Sequence, residues 1–290
     1  MTSKLIAEIH GSTGTLVLNA PERRNALSLD MWQAIPGIVE GFEKDPAIRS
    51  IVVKGAGEEA FAAGADISEF EANRATDENA KTYDAATHRA TLSLTNCSKP
   101  VIAAVKGICF GGGMALAMAC DLRLASDNSR FSIPAAKLGV GYGFAGTAAL
   151  VARLGPSFTA EMLFTAKVYS AHEALMRGIV QAVAPAADLD NVVKGYTTML
   201  AANAPLSILA SKKAIRAAIS GDERDRADAD RAVAACMTSA DYAEGRKAFC
   251  ASEHTSERKR SGKSARREWS CVAASVRHRT GIARDGRGER

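Results

Sequence analysis

The run Ile108-Cys109-Phe110-Gly111-Gly112-Gly113-Met114-Ala115-Leu116-Ala117-Met118-Ala119-Cys120 carries the most chemically suggestive spacing in the chain. Three consecutive glycines follow an apolar strand expected over Val101–Val105 and open an apolar helix. Consecutive glycines let a backbone approach a ligand with no side chain in between. The first turn of the helix has N–H groups without intrahelical partners, backed by the positive end of the dipole. Strand, glycines and helix start together make a donor for developing negative charge. The same glycines also permit tight helix–strand packing, and the residues alone leave both uses open.

Phe61-Ala62-Ala63-Gly64-Ala65-Asp66-Ile67 repeats the theme, with small residues around a glycine in a loop; alone it reads equally as an ordinary loop. Gly141-Tyr142-Gly143-Phe144-Ala145-Gly146 has the spacing of a dinucleotide fingerprint, which would point to a nicotinamide-dependent oxidoreductase. No good strand of five or six residues precedes it, and Ser157–Thr165 reads as helix, not as a strand ending in a ribose-binding acid, so the match is read as chance. His88 falls in a helical stretch and is read as a surface histidine. No two of the six cysteines have Cys-x-x-Cys spacing, and three lie in apolar surroundings as buried thiols, so no metal site is expected.

These segments need a frame. Gly14–Asn19 and Ile48–Lys54 read as strands, the second from its β-branched run. Ser28 is the expected N-cap of a helix over Leu29–Lys44, kinked at Pro36 and Gly37. Residues 68–96 read as an amphipathic helix, Asp121–Ala125 and Phe131–Pro134 as short strands. Ser170 with Glu173 forms a capping box ahead of Ala171–Arg177. Ile179–Val183 is expected as strand, and helices follow over about 188–203, 205–220, 224–237 and 239–249. Alternating strands and helices predict an α/β core, and the short strands fit a spiral of ββα units at least as well as an open sheet.

Composition bounds the function. The chain of 290 residues is long enough for a sizeable core, and no apolar run is long enough to span a membrane. The N-terminus lacks the apolar stretch of a signal peptide, which predicts a cytoplasmic protein with reduced thiols. Residues 251–290 hold eleven Lys/Arg and five Asp/Glu, so this stretch contributes +6 of the net +5 and leaves the rest at −1. A near-neutral body argues against nucleic-acid binding. The basic stretch lacks periodicity and reads as a disordered tail, solvated or touching an acidic partner.

In order along the chain, these segments resemble the crotonase (enoyl-CoA hydratase/isomerase) superfamily. The matching pieces are Pro21–Ser28, Phe61–Ile67, Lys99–Gly107, Gly111–Gly113 with Cys120–Ala125, Pro134–Gly146, Thr165–Lys167, Ala174–Val183 and Tyr242–Phe249. The resemblance spans residues 5–250. It implies a crotonase-like spiral core over 1–186, a C-terminal helical trimerisation region over 187–250, and the tail beyond. It implies a homotrimer or hexamer acting on an acyl-CoA thioester. Coenzyme A would be part of the substrate, with no separate cofactor and no metal.

By the same resemblance, the thioester carbonyl sits between the amides of Ala65 and Gly112, which hold the enolate-like oxyanion. Arg23 would lie near the CoA phosphates and the backbone of Ala63, Asp66 and Ile67 around the adenine. Lys247 and Phe249 would reach a CoA site from the C-terminal helix. The family's hydratases use two glutamates, three residues after Gly112 and directly after Pro134; this chain has Ala115 and Ala135 there. No Asp or Glu occurs from Ala85 through Cys120 or from Ser129 through Ala160. Alanine moves no proton, and general acid–base work contributes roughly 10²–10⁴-fold per group. Asp66 and Glu69 are expected to cap and to be solvated. Tyr142 is the polar side chain available instead, and Leu138–Tyr142 looks like the segment of malonyl-type acyl-CoA decarboxylases; it also reads as a packed structural residue. Three readings follow: a hydratase/isomerase-family enzyme with a non-standard proton donor, a decarboxylase using Tyr142, or a non-catalytic acyl-CoA binder.

Overall fold

Val101–Val105 is apolar at every position, which suits a strand covered on both faces. In the computed structural model, which describes residues 2–66, 69 and 77–258, all five are buried and form β5. Before it come β1 (Leu5–His10), β2 (Thr13–Leu18), α1 (Leu29–Lys44), β3 (Ser50–Gly55), β4 (Ala60–Ala62) and α2 (Asp77–Asn96). After it come β6 (Ile108–Phe110), α3 (Gly112–Ala119), β7 (Leu122–Ser126), β8 (Arg130–Ser132), α4 (Phe144–Leu154), α5 (Pro156–Thr165), β9 (Tyr169–Ser170), α6 (Ala171–Met176) and β10 (Ala182–Ala184). The remaining helices are α7 (Leu189–Ala202), α8 (Pro205–Ser220), α9 (Glu223–Met237) and α10 (Ala240–Arg258).

Among the described residues the strands make two sheets, one in the order β1-β2-β3-β5-β7-β10 and one in the order β4-β6-β8-β9. β3, β5 and β7 are parallel neighbours in the first, and β4, β6 and β8 in the second. Each turn of chain therefore lays one strand in each sheet and then a helix. That is the spiral of ββα units expected from the sequence.

The spiral winds around one apolar core. Leu16 and Leu18 of β2, Ile51 and Val53 of β3, and Val101, Ala103 and Val105 of β5 all contribute to it, as strand periodicity requires. α1 supplies Met31, Trp32, Ile35, Val39 and Phe42 at helical spacing. Arg123 of β7 is buried against the end of α3. It donates through Nε to Ile179 O at 2.6 Å and through Nη1 to Cys120 O at 2.9 Å, tying the last turn of that helix to the 179–181 segment.

Several local expectations change. The glycine triplet follows β6, a separate strand of three residues, and not β5. β1, unexpected from sequence, pairs antiparallel with β2 from Leu5↔Leu18 to His10↔Thr13. The strand expected over 179–183 is Ala182–Ala184, because Ile179 and Val180 turn back onto Ala174 O. Ser28 holds the N-cap position of α1 without capping a backbone N–H; Glu69 Oε2 accepts from Leu29 N at 3.1 Å instead. The capping box of Ser170 and Glu173 forms as expected. No strand leads directly into Gly141–Gly146: after the three-residue β8 the chain passes through a 3₁₀ turn over Pro134–Leu138 and opens α4.

The chain divides into two units, Met1–Thr197 and Thr198–Arg290. In the second, α8 and α9 form a helical hairpin, with Arg216 Nη2 2.6 Å from Asp225 Oδ1. α10 runs on to Arg258, into the stretch read from sequence as a structureless tail. The remainder of that tail lies outside the described residues. No helix among the described residues is long and apolar enough to cross a membrane.

Candidate active site

The loop 64–66 is held by a single parallel bridge to Leu27. Leu27 N donates to Gly64 O at 2.7 Å, and Asp66 N donates to Leu27 O at 3.1 Å. In such a ladder the residue between the two bonds turns its own N–H away, and that residue is Ala65. Gly64 has φ +124°, a conformation that favours glycine, and it brings the loop against the glycines of α3. An ideal Cβ on Gly64 would stand 3.5 Å from Phe110 O and 3.9 Å from Gly112 N.

Gly111 is pinned from the other side, its N–H donating to Ser132 O of β8 at 2.9 Å. Gly112 begins α3, so its amide has no carbonyl one turn back. An ideal Cβ on Gly112 would lie 3.4 Å from Ala65 N. Two amides from residues far apart in sequence thus face one small space. Neither donates a hydrogen bond to any other described residue. Gly113 packs the same helix onto β4: a Cβ there would meet Ala62 O at 2.4 Å.

The structure therefore brings Ala65 and Gly112 together. Ala115 and Ala135 are half-buried and present methyl groups only. The two nearby acids are committed elsewhere. Asp66 is buried, and its Oδ2 accepts from Arg23 Nη1 at 2.7 Å. Glu69 caps α1 through one oxygen and lies 3.7 Å from Lys4 Nζ through the other.

Tyr142 is partly buried and packs against the core, its ring over Gly146. Burial pushes its hydroxyl up to about 12, with the Cys109 thiol of β6 as the lesser cause. Tyr142 is therefore a neutral phenol at ordinary pH. Its hydroxyl makes no hydrogen bond to another described residue.

Of the residues expected around CoA, Arg23 is half-exposed and oriented by Asp66. The Ala63 amide donates to Arg24 O at 2.9 Å and the Asp66 amide to Leu27 O at 3.1 Å, while Asp66 O accepts from Glu69 N at 3.1 Å. Ile67 lies outside the described residues. Lys247 and Phe249 lie on α10 in the second unit, both exposed.

Two positioning residues escape sequence reasoning. Asn25 is fully buried at φ 54°. Its side chain donates to Ala56 O and Ala60 O at 2.9 and 2.7 Å and accepts from Ala20 N at 3.0 Å, fixing the turn that carries Arg23 and Leu27. Its signal was an asparagine in a polar turn, where left-handed backbone favours that residue. The other is Trp32, whose local sequence gives no sign beyond an apolar helix face. Among the described residues no three His, Cys, Asp or Glu side chains converge as a metal site.

The profile of a family described as enoyl-CoA hydratase/isomerase matches residues 8–256. A short-chain-enoyl-CoA hydratase of Clostridium acetobutylicum is 33% identical over 248 residues, 85% of this chain and 94% of that protein. A crotonyl-CoA hydratase of Syntrophomonas wolfei is 35% identical over 252 residues, 84% of this chain and 94% of that protein. A solved enoyl-CoA hydratase/isomerase family protein from Hyphomonas neptunium superposes with a TM-score of 0.81 at 37% identity, covering 85% of this chain and 94% of its own. The spiral fold, the facing glycine loops and these likenesses agree, and the chain belongs to the enoyl-CoA hydratase/isomerase family of the crotonase superfamily.

Proposed function

We propose that this protein binds an acyl-CoA thioester with its carbonyl oxygen between the amides of Ala65 and Gly112, and that it uses the resulting enolate-like oxyanion without the two-glutamate water chemistry of ordinary hydratases. The observation that carries this reading is the pair of unengaged amides facing one space, with only methyl groups at positions 115 and 135. Losing one such donor typically costs about 3 kcal/mol in the transition state. Arg23, steadied by Asp66, supplies a cation for the CoA phosphates.

A second reading is favoured by Tyr142. A phenol held neutral is a proton donor and not a base. Decarboxylation of a malonyl-type thioester breaks the carbon–carboxylate bond, leaves its electron pair as the enolate, and then needs only a proton at carbon. The paired amides and a neutral Tyr142 suffice for that sequence. The third reading, binding without turnover, keeps the amides and dispenses with the donor.

The protein is proposed to act in the cytoplasm as a trimer or a hexamer. Exposed apolar side chains of the second unit, among them Ile215 at 62% and Met237 at 57%, support self-association. The deciding experiment is turnover and binding on a panel of CoA thioesters, enoyl and malonyl types together. Ordinary hydration of crotonyl-CoA would replace the proposal with a hydratase whose acid lies elsewhere. Release of carbon dioxide from a malonyl-type thioester supports the second reading, and tight binding without turnover supports the third.

A further inference from the structure

We infer that the buried Trp32–Tyr83 pair is a positioning device that sets the gap between the two carbonyl donors. This rests on the reading of Ala65 and Gly112 given above. Trp32 is fully buried in α1 and Tyr83 of α2 is 9% exposed. The indole Nε1–H donates to Tyr83 Oη at 3.0 Å, so one edge of the ring is anchored to α2. The neighbouring benzo carbon Cζ2, two bonds from Nε1, backs the oxyanion loop, because an ideal Cβ on Gly112 would stand 3.3 Å from it. One rigid bicyclic ring therefore bridges α2 and the first residue of α3.

The same helix also governs the second donor. Leu27, two residues before α1, makes both backbone bonds that hold the 64–66 loop. Leu29, the first residue of α1, is tied to Glu69 just beyond that loop. α1 is thus the common base: its N-terminal approach fixes Ala65, and the ring of Trp32 fixes Gly112. A shift of the indole changes the separation of the two amides without touching the Arg23 end of the site. Oxyanion donors must sit within hydrogen-bonding distance of one oxygen, so an error of a fraction of an ångström is felt.

The test compares two probes that differ only at the carbonyl: butyryl-CoA, a thioester, and S-butyl-CoA, a thioether without that oxygen. Affinities are measured by calorimetry for the parent, Trp32→Phe and Tyr83→Phe. The infrared stretch of the bound thioester carbonyl is recorded alongside. The parent is expected to prefer the thioester, with its carbonyl stretch lowered by the two donors.

Both variants are expected to keep their affinity for S-butyl-CoA. Each should lose thioester preference by about tenfold, the scale of one net hydrogen bond, and should return the carbonyl stretch toward its free value. Tyr83→Phe removes one hydroxyl only, so it carries the test even if Trp32→Phe fails to fold. An unchanged preference and stretch in Tyr83→Phe overturns the inference and leaves the donor pair standing. Equal weakening of both probes also overturns it, as the mark of a purely structural pair. If the parent binds neither probe, the functional reading fails and the inference falls with it.

Discussion

Restoring carboxylates at positions 115 and 135 should turn this protein toward hydration. Residue 115 lies three residues after Gly112 on α3, about 4.5 Å along the axis and on the same face. Its Cα–Cβ bond tilts toward the start of the helix, which is the donor end. A glutamate there sits in the first turn, where the dipole favours its ionised form by about 0.3–1 kcal/mol. Position 135 is the second residue of the 3₁₀ turn, and Val140 N donates to Ala135 O just beyond it, so a side chain is presented there without cutting a backbone bond. Both alanines are half-buried, so each carboxylate gains access at a modest desolvation cost. At roughly 10²–10⁴-fold per acid–base group, and about 1.36 kcal/mol per decade, each restored group is worth about 3–5 kcal/mol of barrier. The assay follows loss of the conjugated enoyl absorbance of crotonyl-CoA in Ala115→Glu/Ala135→Glu, beside Gln controls at both positions. The expected result is a hydration rate at least about 10²-fold above those controls. If the doubly substituted protein folds and binds crotonyl-CoA like its parent yet hydrates it no faster than the controls, missing carboxylates are not what limits hydration here.

Tyr142→Phe should abolish most carbon dioxide release from a malonyl-type thioester while leaving binding intact; equal turnover would remove the hydroxyl from the chemistry. The same variant tests a pH effect. Burial raises the folded-state hydroxyl from about 10 to about 12, so its stabilisation is full below about pH 10 and is lost as pH rises through that window. The unfolding free energy should therefore fall less steeply between pH 10 and 12 in Tyr142→Phe, by about 2 kcal/mol after allowance for partial exposure, as read from denaturant titrations. Gly113→Ala should destabilise by about 1–3 kcal/mol, because its Cβ would stand 2.4 Å from Ala62 O, and thermal melting measures the loss. Arg23→Met should weaken butyryl-CoA binding about tenfold but leave butyryl-pantetheine unaffected, since only the former carries the nucleotide phosphates.

What sequence reasoning could see depended on range. Local signals were sufficient for the spans of α1, α8 and α9, whose period lies within one element, and for the Ser170–Glu173 box, whose two partners are three residues apart. β5 was visible from its unbroken apolar run. β6, with three residues, is shorter than any period can register, so the glycines seemed to follow β5. β1 keeps only Leu5 buried, which leaves little alternation to read. The true cap of α1 comes from Glu69, and no local window links that residue to Leu29. At the site, the glycine loops and the missing acids were legible as residue types. The pairing of the Ala65 and Gly112 amides is implied by resemblance; the Leu27 bridge leaves the Ala65 amide unengaged, and the close approach of Gly112 to it has no local sequence signal. The backing of Gly112 by Trp32 had no sequence signal.

The strand order β1-β2-β3-β5-β7-β10 rises without reversal, and this bears on how the chain assembles. A protein emerging from its N-terminus can add each strand to the edge left by the last, and no later strand must wedge between two already joined. Each addition leaves one raw edge, which is a template for unwanted pairing. The edge of β7 waits longest, because Leu124 pairs with Ala182. At roughly 5–20 residues per second of synthesis, that edge stands open for several seconds. The stretch between β7 and β10, which contains α4, α5 and α6, therefore works as a clock for the nascent chain: lengthening it would extend the period in which two unfinished copies can join edge to edge.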